Sequence, residues 1–482
     1  MRTVFFIVVL FIVAGASAQN PAVFANQSPR PPAQPGQERH FYRAPDVIPG
    51  TLPEMRDLSY WVGRMSEPDK VVMTVPQVLA MNKAFVEKVK HPDRIDTLAR
   101  RLILAKIDAY PGLFFSKPAA SASADIRGMI AAQVKYMRHT EYGNILGIQY
   151  SAAELDKLEG EMNANGVGGL KARTGLMTEA VCLRIVPAIG AEYVGQPDKN
   201  RTRWDVWNLD IVPVGGVVTV LHVSKSGGFL FVLSDNGYGW VPAEKVALAD
   251  RGAIEAFTDA ATFVVCTGDK VPYFGDAECK FASGWFRMGD KLPVAAPGGG
   301  AARKVSVPVR QANGTLSIQQ AWLAPGADVH TGYLPYTRKN VVVQAFKLLD
   351  NIYDWTGAWQ GRNHATLLRD IFACFGFKLP SCGELISIYN DHTRWLSAKS
   401  AREEQYKAAL SSEPFITLQI CSSGHSNLFL GDYNGTPINY DTHGYNYTDS
   451  TGRSLDIRRV CVETIAIPDY FLKQDLTFVE LK

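Results

Sequence analysis

Several features that would assign this chain to a familiar class are missing from its 482 residues. Beyond residue 15 it has no apolar run approaching the ~20 residues that a membrane-spanning helix needs. Lys and Arg number 50 against 47 Asp and Glu, and no basic stripe or Arg-rich run occurs, which argues against nucleic-acid binding. None of the seven cysteines sits in a Cys-x-x-Cys pair, so the zinc and redox motifs built on that pair are excluded.

The N-terminus has the three parts of a secretory signal peptide. Met1-Arg2 is a short basic region, an apolar run follows over residues 3–15, and Ala16-Ser17-Ala18 forms a small-residue cleavage site before Gln19. We therefore predict a signal peptide over residues 1–18 and a mature protein that is exported, to the periplasm or outside the cell. No cysteine follows the cleavage site, so a lipoprotein anchor is not expected.

Composition divides the rest of the chain into segments. Residues 19–43 are rich in Pro, Gln, Ala and Asn, which predicts a flexible leader. Apolar residues three and four apart, as in 78–89 and 98–109, predict a helical domain over residues 44–170. Short β-type runs fill residues 171–252 and 253–337, with a turn-rich insertion at 296–300, and a last domain covers 338–482. This length fits three or four domains of ~150 residues each.

One stretch, residues 353–380, dominates the interpretation. A loop rich in Trp and Gly leads into a predicted helix, and a Phe-Gly-x-x-Leu-Pro turn at 375–380 ends it. This order resembles the nucleophile segment of NlpC/P60 cell-wall peptidases. That family has Asp-Cys-Ser at the start of the helix, whereas this chain has Asn363-His364-Ala365. The resemblance therefore implies the fold and, at the same time, the loss of the family's nucleophile.

The resemblance extends from about residue 50 to the C-terminus. Residues 57–82 resemble the N-terminal stabilising domain of some NlpC/P60 proteins, and residues 182–187, 204–207 and 237–241 resemble a bacterial SH3 (SH3b) domain. Residues 262–274 and 288–293 resemble a second, more divergent SH3b domain. The implied fold is α+β and multidomain: a helical N-terminal domain, two small SH3-like β-barrels of about five strands, and a C-terminal papain-like NlpC/P60 domain.

The resemblance also assigns the catalytic positions. A cysteine at a helix N-terminus is activated by the helix dipole and a neighbouring histidine. His364 replaces that cysteine, and a histidine is a poor nucleophile towards amides. His425, in a Gly-His sequence before an apolar strand, matches the general base. Tyr440 takes the third, orienting position, with Asp441 and His443 as neighbours.

Residues expected to contact a ligand are altered as well. The family's Asp and Ser beside the nucleophile, which recognise a free amine on the stem peptide, are replaced by Asn363 and Ala365, and a neutral Asn363 loses the charge-assisted contact. On the first barrel, Trp204, Trp207 and Tyr238 are candidates for stacking on sugars or peptide side chains. Because a small barrel also needs aromatic residues for its own core, a binding role and a core role are equally expected.

The cysteines offer no obvious replacement nucleophile. Cys374 lies about three turns into the helix and Cys382 follows the Leu-Pro turn, so both are predicted to be core or structural thiols. An odd number of cysteines in an oxidising compartment leaves at least one free or bonded between molecules. Cys266 with Cys279 and Cys421 with Cys461 are possible bridges, and buried free thiols are equally expected.

Three functions remain open from the sequence. The favoured one is an exported, non-catalytic protein that binds peptidoglycan stem peptides, muropeptides or a partner cell-wall enzyme. The second is an active murein-peptide endopeptidase that uses an unusual residue. The third is a zinc site in which His364 faces His425, with Asp441, His443 or Tyr440 close by. We predict a hydrogen-bonded His364 rather than a metal, and no cofactor.

Overall fold

The computed structural model describes fifteen ranges of the chain, namely residues 42–43, 46–90, 119–138, 143–144, 148–168, 173–190, 205–235, 237–295, 303–355, 357, 360–381, 383–444, 446–448, 454–465 and 471–482. The predicted signal peptide, most of the leader, the helical pattern at 98–109, the insertion at 296–300, Trp204 and Cys382 lie outside these ranges. Within them, no helix has the length and apolar character needed to cross a bilayer.

The described N-terminal part is mainly helical. Its helices are α1 (Leu58–Val62), α2 (Val75–Lys90), α3 (Ala119–Met137) and α4 (Ala152–Met162). Helix α2 confirms the helix predicted at residues 78–89, and Ser151 with Glu154 caps α4 through a capping box. Strand β1 (Tyr42–Arg43) runs parallel to residues 454–456, so the prediction of a flexible leader is wrong for its last two residues.

The next part is one sheet of seven strands. Strand β2 (Val71–Met73) precedes this sheet and is not part of it. The strands of the sheet are β3 (Arg173–Met177), β4 (Val181–Arg184), β5 (Asn208–Val212), β6 (Val217–Val223), β7 (Phe229–Ser234), β8 (Gly237–Pro242) and β9 (Val246–Ala249). Their order is β5-β4-β8-β7-β6-β3-β9. Strands β6 and β7 confirm the two predicted β-runs, and the sheet has seven strands where about five were expected.

Helix α5 (Arg251–Thr258) leads to two smaller sheets. The strands are β10 (Phe263–Cys266), β11 (Lys270–Phe274), β12 (Ala282–Arg287), β13 (Lys291–Pro293), β14 (Arg303–Arg310), β15 (Leu316–Leu323) and β16 (Val329–Thr331). They form the sheets β13-β10-β16 and β12-β11-β15-β14. The short strand β17 (Tyr336–Thr337) pairs with β2 and so returns the chain to the N-terminal part.

The C-terminal part combines helices with an antiparallel sheet. Its helices are α6 (Arg338–Phe346), α7 (His364–Ala373), α8 (Gly383–Ile386) and α9 (Arg402–Leu410). Its strands are β18 (Thr393–Leu396), β19 (Thr417–Cys421), β20 (Ser426–Tyr433), β21 (Thr436–Thr442), β22 (Asn446–Thr448), β23 (Ser454–Asp456), β24 (Val460–Thr464) and β25 (Leu476–Glu480). Six of them form the sheet β18-β25-β19-β20-β21-β24.

The N-terminal part packs directly on this C-terminal sheet and its helices. Trp61 and Phe85 are fully buried in one core with Leu367 and Phe372 of α7. Asn82 of α2 holds the turn after α7 at both ends, because its Nδ2 donates to the Gly376 carbonyl (2.8 Å) and its Oδ1 accepts from the Lys378 amide (2.9 Å). The helix that begins at His364 is therefore fixed from its C-terminal side.

A buried ion network ties α7 to both groups of strands. Asp370 accepts from Arg362 (2.8 Å) and from Arg287 of β12 (3.3 Å), and all three side chains are at most 7% exposed. Arg369 pairs with Asp210 of β5 at 2.7 Å. Because buried charges are costly unless paired, this network fixes the position of α7 relative to both neighbouring parts.

A half-buried carboxyl near this network, that of Asp290, predicts a pH effect. Asp290 accepts a hydrogen bond from the Arg287 amide (2.8 Å), and burial raises its pKa to about 7. The folded state therefore keeps this proton where the unfolded chain loses it, so stability is full below pH ~4 and falls as pH rises through about 7. We expect D290N to become increasingly stabilising relative to the unaltered protein between pH 4 and 7, measured by urea unfolding. A difference that is constant with pH would contradict this.

Candidate functional site

Helix α7 begins at His364, the residue predicted to stand at the nucleophile position. Asn363 is the N-cap, with extended backbone angles (φ −92°, ψ −179°), and its side chain accepts from the Thr366 amide at 2.9 Å. Thr366 completes a capping box by accepting from the Asn363 amide at 3.0 Å. His364 is consequently the first residue of the helix, where the dipole favours negative charge. A thiolate would be stabilised at this position, whereas an imidazolium would not.

Asn363 also connects α7 to the loop that precedes it. Besides capping α7, its Nδ2 donates to the Trp355 carbonyl (2.6 Å) and so fixes the Trp-Gly loop against the helix. Asn363 and Ala365 are 1% and 0% exposed. Both were predicted to contact a ligand, and in this arrangement neither side chain reaches the surface.

This cap carries a testable contribution to stability. We expect N363A to lower the free energy of unfolding by about 1–2 kcal/mol, because the cap and the bond to Trp355 are both lost. N363S keeps a capping oxygen without placing a charge in this buried position and is the matched control, with a smaller loss expected. Urea unfolding followed by tryptophan fluorescence measures both, and equal losses in the two variants would contradict the capping role.

His425 lies beside His364. It follows a tight turn in which the Gly424 amide donates to the Cys421 carbonyl (2.8 Å), and Gly424 takes φ +86°, which a residue with a side chain rarely adopts. The two imidazole rings are 4.5 Å apart between centroids, and Nδ1 of His364 lies 3.3 Å from the Ser426 hydroxyl. The structure thus brings the predicted base next to the predicted nucleophile position.

The orienting residue differs from the one predicted by alignment. Nε2 of His425 donates to Oδ2 of Asp441 at 2.7 Å. The Tyr440 hydroxyl instead donates to the Ala345 carbonyl in α6, and its ring stacks on Phe346. Successive residues of a strand point to opposite faces, so the shift by one position turns Tyr440 into the core and Asp441 towards His425. The placement of Tyr440 in the third position is therefore corrected to Asp441.

The charge network continues beyond Asp441. His443 donates from Nε2 to Glu463 at 2.7 Å, and the same nitrogen lies 3.5 Å from Asp441 Oδ2. We refer to His425, Asp441, His443 and Glu463 as the histidine–carboxylate cluster, whose side chains are at most 3% exposed. Glu463 did not emerge from the sequence analysis. Its sequence signal is its alternation with Cys461 along β24.

Burial and mutual charge set the protonation of the cluster. Burial, aided by the charge of His443, lowers the pKa of His425 to about 3, so its ring is neutral at neutral pH. Burial raises the pKa of Asp441 to about 6. Burial alone would lower the pKa of His443, but Glu463 and Asp441 outweigh it and raise that pKa to about 9. A neutral His425 held by a carboxylate is the form that a general base requires.

The structure describes no activated thiol that could replace the missing one. Cys374 is the C-cap of α7 and is fully buried, and burial raises its pKa to about 12. Burial has the same effect on Cys182 and Cys421, whose pKa values are also about 12. Cys266, Cys279, Cys421 and Cys461 are free thiols, so neither of the two possible disulfide pairs is present. Reactive cysteines have lowered pKa values, whereas burial raises those of Cys182, Cys374 and Cys421.

The aromatic residues predicted as a binding rim belong to a core. Trp207 is 0% exposed and stacks on Tyr150, with ring centroids 4.8 Å apart. Tyr238 is 4% exposed and packs edge-on against Phe231. Both lie in one hydrophobic cluster with α3 and the Trp-Gly loop. Their proposed contact with a ligand is therefore corrected to a packing role.

Two groups of described side chains have the composition of metal ligands. His425, Asp441 and His443 form one, and His443, Cys461 and Glu463 form the other, with ligand atoms within 4.8 Å of one another in each group. His364 is in neither group. The metal set considered as an alternative in the sequence analysis, with His364 opposite His425, is therefore not the one the structure assembles among its described residues.

Comparison with known proteins identifies the fold. No protein-family model matches the sequence, and no curated protein matches it. Among solved structures, the chain is similar to a novel NlpC/P60 endopeptidase from Photobacterium damselae subsp. piscicida, with a TM-score of 0.69 and 17% identity over 92% of this chain and 99% of that one. An NlpC/P60 family protein from Bacillus cereus ATCC 10987 matches at a TM-score of 0.41 and 16% identity, over 64% of this chain and 100% of that one. The first similarity establishes that this chain has the fold of an NlpC/P60 endopeptidase.

Proposed function

We propose that this protein is an exported, non-catalytic NlpC/P60-fold protein that binds peptidoglycan stem peptides or muropeptides. In this proposal the seven-stranded sheet and the two sheets that follow it are SH3b-type domains, and the C-terminal part is a peptidase domain that has lost its reaction. The likeness of nearly the whole chain to an NlpC/P60 endopeptidase supports the ligand class. A partner cell-wall enzyme is a further candidate for the bound molecule.

One observation carries the non-catalytic part of the proposal. The first residue of α7, where the family has its cysteine, is His364, which is 3% exposed and directed at Ser426 and His425. Cys374 and Cys421 lie elsewhere, and burial raises the pKa values of both, so neither supplies a thiolate in its place. Loss of the family's carboxylate at Asn363 further removes the charged partner of a substrate ammonium group.

The alternative is an active peptidase with an unusual nucleophile. The intact pairing of His425 with Asp441 favours it, because that pair is two thirds of a catalytic triad. The Ser426 hydroxyl lies 3.3 Å from Nδ1 of His364, but it is 1% exposed and this separation is longer than a nucleophile–base hydrogen bond. We therefore rank this function second.

A binding measurement tests the proposal. Isothermal titration of purified tripeptide, tetrapeptide and cross-linked muropeptides into the mature protein is expected to show saturable binding with no change in ligand mass. Free amino sugars and an unrelated acidic tripeptide are the controls for specificity. Absence of binding to all three muropeptides would overturn the ligand assignment. Cleavage during the titration would overturn the non-catalytic assignment and leave the ligand class intact.

A further inference from the structure

The register of three strands concentrates the histidine–carboxylate cluster on one face of the C-terminal sheet. Asp441 of β21 lies opposite Cys461 of β24, and Asn439 lies opposite Glu463. Because side chains alternate along a strand, Asp441 and Glu463 point to the same side of the sheet. His443 continues this alternation beyond the end of β21, and His425 reaches the same place from the turn before β20. Two imidazoles and two carboxylates therefore converge in the interior, where all four side chains are buried.

The geometry of three of these groups is close to that of a metal site. Oδ2 of Asp441 lies 2.7 Å from Nε2 of His425 and 3.5 Å from Nε2 of His443. Zinc ligands at ~2.0–2.2 Å from the ion are about 3.3–3.6 Å from one another in a tetrahedron. Insertion of an ion thus requires the contact between His425 and Asp441 to lengthen by less than about 1 Å. The other Asp441 oxygen is held by the Thr442 amide at 2.6 Å, which leaves Oδ2 facing both rings.

The buried charge of the cluster favours a cation at this point. Asp441 and Glu463 are both 0% exposed, and two carboxylates removed from water need compensating positive charge. A single imidazolium compensates one of them. A divalent ion with two neutral imidazoles compensates both, and nitrogen with carboxylate oxygen is a donor set that suits zinc.

The second group of potential ligands competes for the same histidine. His443 belongs to both groups, so one ion can use only one of them. The group with Cys461 offers one imidazole, and its thiol lies 3.9 Å from the far oxygen of Glu463. The group with His425 offers two imidazoles and the preformed Asp441 oxygen. Ligand number and orientation therefore favour His425, Asp441 and His443.

We propose that His425, Asp441 and His443 bind one divalent transition-metal ion, zinc being the best chemical match, with Glu463 beside it as a fourth ligand or hydrogen-bond acceptor. The ion is structural, because every ligand is at most 3% exposed and no open position faces solvent through the described residues. It occupies the Nε2 side of His425 and leaves the remaining ring proton on Nδ1, so His425 cannot act as a base while the ion is bound. This inference goes beyond the proposed function, since muropeptide binding does not require a metal.

Metal analysis and cobalt substitution test the site on the full mature protein. Protein purified without chelator is expected to contain about one equivalent of zinc by elemental analysis, and removal of the ion is expected to lower Tm, with recovery on zinc addition. Cobalt(II) in the emptied protein is expected to give the visible absorption of a four-coordinate nitrogen–oxygen site, without a thiolate charge-transfer band. A zinc content below about a tenth of an equivalent, together with no Tm response to added zinc, overturns the proposal and means that the cluster is held by hydrogen bonds alone.

Matched variants separate the two ligand groups. We expect H443Q and D441N to lose the ion, and C461S to retain it with an unchanged cobalt spectrum. H364A lies outside both groups and is also expected to retain it. Loss of zinc in C461S with a thiolate band in the unaltered protein would overturn the assignment to His425. Because the readout is metal content of each folded variant, failure here leaves the muropeptide titration unaffected.

Discussion

A single substitution, H364C, is expected to give a protein that cleaves stem peptides which the unaltered protein leaves intact. The new thiol would stand at the first residue of α7, where the helix dipole stabilises a thiolate. The His425 ring lies beside this position and is held by Asp441, so the substitution completes a Cys-His-Asp set. Muropeptide digestion by the metal-free variant, followed by mass spectrometry, measures the gain, because an ion on Nε2 of His425 would keep the ring from accepting a proton.

The control for this gain of activity is removal of the base, His425. In the H364C background, H425A is expected to lower the cleavage rate by roughly 10²–10⁴-fold, the usual contribution of a positioned base. H364A, which removes the imidazole without adding a thiol, is expected to remain inactive. If H364C folds and binds muropeptides but does not cleave them, the His425–Asp441 pair is no longer in a catalytic arrangement, and the account of a preserved scaffold is contradicted.

The largest loss of stability is expected from D370N. Asp370 is the common partner of Arg287 and Arg362, and it also lies 3.3 Å from Arg369. Burial alone would raise the pKa of Asp370, but the three arginines outweigh it and keep that pKa below its usual range. Removal of this charge takes one carboxylate away from three guanidinium groups, and loss of a partner from a buried pair costs about 3–5 kcal/mol. Urea unfolding should show this loss.

An exposed ion pair provides the comparison for D370N. Arg251 and Glu255 form a pair in α5 whose side chains are 89% and 50% exposed. Water and salt screen such pairs, so E255Q is expected to leave the unfolding midpoint unchanged. A similarly small effect of D370N would mean that the buried network does not hold α7 in place.

Local patterns in the sequence predicted the elements that carry the site, and long-range contacts decided which side chains point into it. The Trp-Gly loop, the helix beginning at His364 and the strand after His425 follow from adjacent residues, and all three are present. Asp441 instead of Tyr440 reflects strand phase, since a shift of one residue exchanges the two faces. An alignment without structure leaves that phase undetermined when both candidates are polar.

Residues that meet across domains could not be found in this way. Trp207 and Tyr238 are amphipathic, and only the packing of α3 and the Trp-Gly loop on their sheet decides that they are core residues. The partners of Asp370 come from positions up to 83 residues away in the chain. Glu463 of β24 and His443, which directly follows β21, similarly meet only because these two strands are neighbours in the sheet. Such contacts leave no periodic signal in the sequence.

The central claim is that the fold retains its ligand and lacks the reaction. Incubation of the unaltered mature protein with tripeptide, tetrapeptide and cross-linked muropeptides, analysed by mass spectrometry alongside the binding titration, tests it most directly. We predict intact muropeptides at every time point together with saturable binding. New peptide fragments whose formation depends on His425 would contradict the claim and identify the protein as an active peptidase.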